Sequence, residues 1–416
     1  MRSIDFVAPP FAGHLFPALQ LAKGLAERGV ARVRILSSPG AAGAIAAAGL
    51  SHVEFLKNRD AEIWAIANTP RRVGSNPFAM WNQVQRNLAL MKDLQNELSE
   101  LWSVHPPDLV IADFVVPVAG LTAKSLGIPW WTGMPTPCVL ETPDGTPAYL
   151  GGWRSYDNPL ARIRDLLGRR IVRTFKKTSA RLFAAPLREL GIEGLYRADG
   201  TEVVYSPDCI LAYGMKEFEF SRTWPEHVEF IGPLTESPFP PEEFTPQTCG
   251  GNILISLGTH LPWAKERAID LFRQVARISP EFSFYFSRGI PGSDRWEVEG
   301  NFHLYDYISY SHHMTHFSAA VIHGGTGVTY SAIEAGLPML VWPQDYDQFD
   351  HAARIVQHGL GRRLRPSPKR IAADLRELIR LRRELGNPSE SYREIAKTYN
   401  PVERVARAVQ GFAGGI

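Results

Sequence analysis

The chain has 416 residues, and at roughly 150 residues per domain we expect two domains. The hydrophobic share of 44% and the charged share of 21% are ordinary for proteins with sizeable cores. They exclude intrinsic disorder, collagen-like repeats and a small disulfide scaffold. Lys and Arg total 45 against 43 for Asp and Glu, a net charge of +2 that does not predict bulk binding to nucleic acid.

The three cysteines, Cys138, Cys209 and Cys249, lie far apart in the sequence and lack Cys-x-x-Cys spacing. This pattern indicates neither a disulfide framework nor a zinc ribbon. No apolar run is long enough for a transmembrane helix, and the first residues carry Asp5 and two prolines where a signal peptide needs an apolar helix. We therefore expect a soluble protein of the reducing cytoplasm.

The first part of the chain predicts alternating strands and helices. A strand over Ile4–Ala8 is followed by a loop with Gly13 and His14, a helix from about Pro17 to Arg28 and a strand over Val33–Ser37. The segment Asp108–Leu126 predicts another strand and helix. Its run LVIADFVV is apolar apart from one acid, as in strands that are covered on both faces of a parallel sheet.

A basic amphipathic helix is predicted over Leu160–Lys177. Its two faces differ sharply: Leu160, Ile163, Leu167 and Phe175 are apolar, whereas Arg162, Arg169, Arg170, Arg173 and Lys177 are cationic. We interpret the charged side as a solvated helix face, and the alternative is contact with a membrane surface.

Residues 233–246, PLTESPFPPEEFTP, contain five prolines and predict a linker without regular structure. After it the pattern restarts with a strand over Ile253–Leu257, a helix over Lys265–Ile278 and further short apolar strands. The sequence therefore predicts two doubly wound α/β domains.

The motif His323-Gly-Gly-Thr-Gly327 follows a predicted strand and opens a helix. Glycines let backbone N–H groups approach a ligand closely, and a helix N-terminus favours negative charge. The motif thus fits a phosphate or pyrophosphate, although by itself it also fits an ordinary tight turn.

A second cluster, Asp347 with Gln348, follows the next predicted strand. In a parallel sheet both loops lie at the same edge, where ligands bind. A carboxylate beside an amide can bracket vicinal hydroxyls. A phosphate cradle facing a hydroxyl clamp indicates a nucleotide sugar.

These segments resemble the donor-binding signature of the inverting nucleotide-sugar glycosyltransferases with the GT-B fold, which include plant and bacterial small-molecule glucosyltransferases. His-Gly-Gly-x-Gly matches 323–327, Gly-(Val/Leu)-Pro matches 336–338, and Pro-x-x-x-Asp-Gln matches 343–348. By this resemblance the pyrophosphate lies at His323, Gly325, Thr326 and Gly327, and the sugar lies at Asp347 and Gln348. The turn ISLGT resembles the family's second phosphate loop, which places Gly258 and Thr259 at the donor.

The first half carries the matching acceptor-side motifs. AGHLFPALQLAKGLAERG resembles the family's opening segment and puts His14 where the catalytic base lies. PDLVIADFVVPVAGLTAKSLGIPW resembles the segment with the acidic partner, which falls on Asp113. A neutral imidazole can take a hydroxyl proton near pH 7, and a buried carboxylate orients the ring.

Two positions depart from the family pattern. Tyr307, followed by Ile308, stands where the family has a tryptophan that stacks on the base, and a tyrosine still offers a stacking face. Ser331 stands where the family has a glutamate for the ribose hydroxyls. The departures concern recognition of base and ribose, not of phosphate and sugar.

Two further clusters allow more than one interpretation. His312, His313 and His316 could suggest a metal site, but the family has a histidine matching His316 that binds no metal, and we expect none. An aromatic set could line an acceptor pocket or belong to the core. Its members are Trp64, Phe78, Trp81, Phe114, Trp130, Trp131 and Met134.

The resemblance implies an α/β protein with two Rossmann-like domains facing a cleft. Residues 1–233 would bind the acceptor, 234–249 would be the linker, 250–387 would bind the nucleotide sugar, and helices in 388–416 would cross back to the first domain. We expect a metal-independent hexosyltransferase without a cofactor, acting on a UDP- or dTDP-sugar and a small aromatic, polyketide-like or other hydrophobic acceptor, as a monomer or homodimer.

The alternatives are a non-catalytic binding protein for a nucleotide sugar or glycolipid on the same fold, and a nicotinamide oxidoreductase. The second is disfavoured because no Gly-x-Gly-x-x-Gly follows the first strand, where the sequence is PPFAGH.

Overall fold

A computed structural model describes residues 1–68, 77–246, 251–384 and 388–412. Two seven-stranded sheets organise the chain, each covered by helices. Cys249, at the predicted end of the linker, lies outside the described residues, and the described Cys138 and Cys209 are free thiols.

The first sheet is parallel throughout, with strand order β3-β2-β1-β4-β5-β6-β7. Its strands are β1 Arg2–Val7, β2 Ala31–Ser37, β3 His52–Glu54, β4 Leu109–Asp113, β5 Trp130–Met134, β6 Ile210–Ala212 and β7 Val228–Phe230. Its helices are α1 Ala12–Glu27, α2 Ala42–Ala47, α3 Asp60–Ala67, α4 Pro77–Val104, α5 Pro117–Ser125, α6 Pro159–Leu182 and α7 Ala184–Glu189.

The second sheet has strand order β10-β11-β9-β8-β12-β13-β14 and is parallel except for the antiparallel edge pair β10 and β11. Its strands are β8 Gly251–Ser256, β9 Phe282–Ser287, β10 Trp296–Glu299, β11 Phe302–Tyr305, β12 Ala319–Ile322, β13 Met339–Val341 and β14 Gly361–Arg363. Its helices are α8 Pro262–Arg277, α9 Tyr310–His313, α10 Thr326–Glu334, α11 Gln348–Gln357, α12 Pro368–Glu384 and α13 Pro388–Lys397, and the last helix of the chain is α14 Pro401–Gly411.

The central strands are buried along their whole length, as their continuous apolar runs predict. Every residue of β4, β8 and β12 is buried. Helices cover both faces, which is the arrangement that parallel sheets require. The fold class predicted from the alternation of strands and helices is therefore the one observed.

Helix α1 begins earlier than the sequence predicted. It starts at Ala12, so His14 lies in its first turn rather than in a loop, and Pro17 lies inside the helix. Leu15 N–H already donates to the Phe11 carbonyl at 2.8 Å. Pro17 lacks only its own N–H, so the helix loses one hydrogen bond near its start instead of ending there.

The proline-rich segment up to residue 246 forms neither helix nor strand, yet it is packed. Leu234 and Phe244 are buried, one in the core of each sheet. The Thr235 hydroxyl donates to Glu334 of α10 at 2.6 Å.

Helix α14 lies against the first sheet although it follows the second in the chain. Val405, Ala406 and Val409 belong to the hydrophobic core around β1 and α1. A Cβ atom at Gly24 of α1 would lie 2.5 Å from Val402, so glycine permits this close helix contact.

Helix α11 joins the two halves through buried polar contacts. Arg354 donates to Glu219, which follows β6, at 2.8 Å, and both side chains are at most 2% exposed. His351 contacts the Thr136 hydroxyl at 3.3 Å, and Asp350 accepts from the Tyr149 N–H at 2.9 Å. These contacts fix the angle between the sheets.

The cationic side of helix α6 is solvated only in part. Arg162, Arg170 and Lys177 are exposed, as the sequence predicts, but Arg169 donates to the Gly145 carbonyl and Lys176 pairs with Glu202. Its apolar side faces outward instead, with Leu160 79% and Phe175 59% exposed.

None of the described helices is both long enough and apolar enough to cross a membrane.

Replacing Glu219 with Gln should strongly destabilise the fold, because Arg354 then remains buried without a counter-charge. Breaking such a buried pair costs about 3–5 kcal/mol, measurable as the free energy of unfolding in urea. The control Glu394→Gln removes an exposed pair with Lys397 and should leave that free energy unchanged. Equal stability of the two variants would contradict the role given to the buried pair.

Candidate active site

A cavity of about 660 Å³ lies where the carboxyl ends of the two sheets face each other. Loops after β1, β4 and β5 line one side, and loops after β8, β12 and β13 line the other. Ligands bind at this edge of open parallel sheets. All the sequence-predicted site residues except Asp113 and Ile308 contribute to the lining of this cleft.

His14 and Asp113 form a paired unit at the first sheet. The Nδ1 atom of His14 lies 3.0 Å and 3.1 Å from the two carboxylate oxygens of Asp113. The adjacency of β1 and β4 brings together two residues that are far apart in sequence. Asp113 is buried beneath the histidine and also accepts the Val115 N–H, so it does not itself line the cleft.

The geometry fixes which nitrogen of His14 is available. An ionised carboxylate only accepts hydrogen bonds, so Nδ1 carries the proton and Nε2 keeps its lone pair. The ring stacks on Phe114 with centroids 5.6 Å apart. The arrangement can therefore accept a proton from a group in the cleft.

The pKa of His14 is raised above its ordinary value of 6.5. Burial by itself lowers it, but the charge and hydrogen bond of Asp113, with a contribution from Asp347, outweigh burial. The raised pKa makes His14 a stronger base. As the pH falls through that pKa, Nε2 becomes protonated and can no longer accept a proton.

His323 lies between two glycines on the opposite side. A Cβ atom at Gly325 would lie 2.3 Å from its Nε2, and one at Gly258 would lie 2.9 Å from its ring. Burial lowers the pKa of His323 to about 4, so the imidazole is neutral at pH 7. Any side chain at either glycine would displace this ring.

The N-terminus of α10 points its backbone donors at the same place. Gly325 is the N-cap, and no side chain caps the helix. Thr326 and Gly327 line the cleft, and their N–H groups precede the first helical hydrogen bond, which runs from Thr329 to Gly325. This geometry suits an anion such as a phosphate.

Asp347 and Gln348 differ in the hydrogen bonds that they can make with a ligand. The carboxylate of Asp347 accepts no hydrogen bond from the described residues. The side-chain oxygen of Gln348, Oε1, already accepts the backbone N–H groups of Gln344 and Asp345, at 2.8 Å and 3.1 Å. Gln348 therefore offers its amide N–H donors to a ligand, whereas Asp347 offers acceptors.

The positions that depart from the family pattern also lie in or near this cleft. Tyr307 and Ser331 line it, and the Ser331 hydroxyl donates to the Gly327 carbonyl at 2.9 Å. Glu334, one turn further, instead accepts from Thr235. Ile308 is not brought into the cleft, because its side chain is fully buried in the second core.

The first-sheet side of the cleft is largely apolar. Its described lining includes Phe11, Phe55, Ile63, Ile66, Val84, Leu90, Met91, Leu94, Phe114 and Val116. Among the members of the aromatic set whose side chains are described, only Phe114 lines the cleft. Trp130, Trp131 and Met134 are core residues, Trp64 packs behind Phe11, Trp81 is on the surface, and the Phe78 side chain lies outside the described part.

His260 is a cleft residue that the sequence reasoning missed. It follows the turn ISLGT directly, a position that could have signalled it. Its ring contacts Phe11 at a centroid distance of 5.1 Å, and burial lowers its pKa to about 4. Tyr149, Tyr310 and the α4 residues carried no comparable signal, because folding alone places them there.

The three clustered histidines have other partners. His312 contacts the Ser309 hydroxyl at 2.9 Å, and the rings of His313 and His316 pack on Phe244. Within the described ranges, no group of three His, Cys, Asp or Glu residues could hold a metal ion.

The chain is similar to known proteins over most of its length. Residues 273–407 match the family model of the C-terminal domain of erythromycin biosynthesis protein CIII-like proteins. A zeaxanthin glucosyltransferase of Pseudescherichia vulneris is 23% identical over 381 residues, which cover 88% of this chain and 86% of that protein.

Solved structures show the same fold. The glycotransferase of kitacinnamycin has a TM-score of 0.73 at 22% identity, covering 98% of both chains. The glycosyltransferase VinC, in complex with DTDP, has a TM-score of 0.64 at 18% identity and also covers 98% of both chains. The predicted GT-B arrangement of two Rossmann-like domains is thereby confirmed.

Replacing Asp113 with Asn should lower the pKa of His14 below 6.5, because burial then acts without the opposing carboxylate. NMR titration of the imidazole signals measures this change. The control Asp108→Asn removes a carboxylate that is bonded to Ser3 and should leave the His14 titration unchanged. An unchanged His14 pKa in Asp113→Asn would show that the pair does not control the ring.

Proposed function

We propose that this chain is a small-molecule glycosyltransferase of the GT-B fold and that it catalyses inverting transfer of a sugar from a nucleoside diphosphate sugar to a hydroxyl of an apolar acceptor. Residues 1–233 would supply the acceptor side and residues 250–387 the donor side. The observation that carries the proposal is the His14–Asp113 pair facing His323 and the α10 N-terminus across one cleft.

His14 acts as the general base in this proposal. Its Nε2 takes the proton of the acceptor hydroxyl while that oxygen attacks the anomeric carbon. Asp113 keeps Nδ1 protonated and stabilises the imidazolium that forms. Attack opposite the departing diphosphate inverts the configuration at that carbon.

The second half would hold the donor and stabilise its leaving group. Charge develops on the diphosphate as the glycosidic bond breaks, and the α10 N–H groups with the Gly258 and Thr259 loop, which line the cleft, would meet it. Burial lowers the pKa of His323 to about 4, and a nearby dianion would favour its charged form. Asp347 and the amide of Gln348 would bind the sugar hydroxyls.

The apolar first-half lining supports a hydrophobic acceptor, because burial of apolar surface drives such binding. The relative named a zeaxanthin glucosyltransferase is consistent with that class, and VinC in complex with DTDP is consistent with a nucleoside diphosphate donor. The paired base and acid argue against a non-catalytic binding protein.

The reaction is tested by incubating the chain with a panel of nucleotide sugars and phenolic or polyketide acceptors. Mass spectrometry should detect acceptor plus one hexose, and NMR of the product should show an inverted anomeric centre. Hydrolysis alone or a retained anomeric configuration would contradict the proposal.

Replacing His14 with Ala should lower kcat by about 10²–10⁴, because the general base is removed. Donor affinity, measured by calorimetry with the nucleoside diphosphate, should stay almost unchanged. His105→Ala, at an exposed position, is the matched control. Turnover of His14→Ala within a few-fold of the parent would remove it from the mechanism.

We propose that the transfer needs no metal ion, since the backbone amides of α10 and His323 would meet the charge of the diphosphate. Activity measured in excess chelator should equal that of the untreated enzyme. A loss of activity that added magnesium or manganese restores would contradict this.

Ser331 should leave the enzyme weakly selective between UDP-glucose and dTDP-glucose, because its hydroxyl is already bonded to Gly327 and Glu334 is held by Thr235. Ser331→Glu should raise the preference for UDP in kcat/KM by roughly tenfold to a hundredfold, the value of a buried hydrogen bond to the 2′ hydroxyl. Including 2′-deoxy-UDP-glucose separates that hydroxyl from the thymine methyl group.

Ser331→Ala and Glu334→Ala are the controls and should leave the donor preference near that of the parent. A parent strongly selective for UDP, unaffected by either alanine, would show that neither residue governs ribose recognition.

A further inference from the structure

Helix α6 presents an apolar stripe to solvent along its whole length. Leu160 is 79% exposed and Leu182, at the other end, is 63% exposed. Between them lie further outward apolar side chains, namely Ile163, Leu166, Leu167, Ile171 and Phe175. Soluble proteins rarely expose so many neighbouring apolar side chains without a partner for them.

The helix is held on the protein by its polar side, so this orientation is fixed. The Arg173 guanidinium lies 3.9 Å from the ring centre of Tyr196. Lys176 pairs with both Glu141 and Glu202 at 2.8 Å. Turning the stripe inward would break these contacts.

The exposed charges that α6 itself contributes beside the stripe are all cationic, and one of them, Arg162, pairs with Asp157 just before the helix. Arg170, Lys177 and Arg181 are exposed and form no ion pair with the described residues. The only acid of α6, Asp165, is buried against Thr146 and Arg164. The outward face therefore combines apolar side chains with cations and carries no acid of its own.

The end of α6 contacts a helix that lines the cleft. The buried ring of Phe183, directly after α6, lies tilted against Trp81 of α4 with ring centroids 4.2 Å apart. Residues of the same helix α4, among them Gln83, Val84 and Met91, line the cleft. One helix thus connects the surface stripe with the apolar lining.

We propose that α6 is a membrane-docking helix that lies on an anionic lipid surface with its apolar stripe in the acyl boundary. An amphipathic helix with an apolar face and cationic flanks binds such a surface in its plane. A second copy of this chain is the poorer occupant, because α6 packed on α6 would juxtapose Arg170, Lys177 and Arg181 without any acid of α6 to neutralise them.

The docking would bring the cleft beside a bilayer in which apolar acceptors dissolve, and this consequence alone rests on the proposed function. Docking itself does not require catalysis. The two proposals can therefore fail separately.

Sedimentation with vesicles of phosphatidylcholine, with and without roughly one-third phosphatidylglycerol, tests the docking. The full chain should bind the anionic vesicles and bind the neutral ones far less. Arg170→Gln/Lys177→Gln/Arg181→Gln should weaken binding on the order of a hundredfold, about fivefold for each cation near the surface. Leu167→Gln/Ile171→Gln should weaken it at least about tenfold.

Ile290→Gln/Val298→Gln changes two similarly exposed apolar residues elsewhere and is the matched control, with binding expected to equal that of the parent. Unchanged thermal unfolding and unchanged transfer to a water-soluble acceptor should show that the α6 variants fold. Absence of transfer by the parent would refute the proposed function without affecting this test.

Two results would overturn the docking proposal. One is a parent that does not bind anionic vesicles, or binds them equally well with Leu167→Gln/Ile171→Gln. The other is a parent dimer in analytical ultracentrifugation that dissociates in that variant, since the stripe would then be the contact between two copies.

Discussion

The buried ion pair between Arg354 and Glu219 is the contact on which the geometry of the cleft most depends. It ties α11, whose first residue is Gln348, to the segment after β6 of the other sheet. A buried ion pair is stable only when good geometry compensates for the loss of hydration of both charges. Arg354 has a further favourable contact, because its guanidinium lies 4.2 Å from the centre of the Phe220 ring. The same helix therefore sets the position of the donor-side residues and their distance from His14.

Each half of the cleft is incomplete without this alignment. The first sheet provides the His14 imidazole paired with the Asp113 carboxylate among apolar side chains. The second provides the free backbone donors of the α10 N-terminus, the His323 ring between two glycines and the Asp347 carboxylate, which has no hydrogen-bond donor among the described residues. The cleft places His14 opposite these groups, and the proposed transfer reaction requires that combination.

Helix α6 shows how tertiary contacts can reverse an interpretation from sequence. An amphipathic helix with eight cations predicts a charged face in water and an apolar face on the core. The protein surface beneath α6 offers Glu141, Glu202 and the Tyr196 ring, and Lys176 and Arg173 bind there, while other cations of the helix stay exposed beside the apolar stripe. Sequence periodicity identifies the two faces but not which of them the rest of the chain will cover.

The sequence by itself determined the two α/β domains, because continuous apolar runs alternating with amphipathic segments favour covered parallel sheets. It also predicted a phosphate site at His323–Gly327, where glycines let the backbone approach a ligand closely. Tertiary structure decided the other outcomes. It started α1 at Ala12, kept Ile308 out of the cleft, buried Trp130 and Trp131 in the core, and brought His260 into the cleft. Those outcomes depend on contacts between segments that are far apart in the sequence. Local residue patterns do not show which distant segments will pack together.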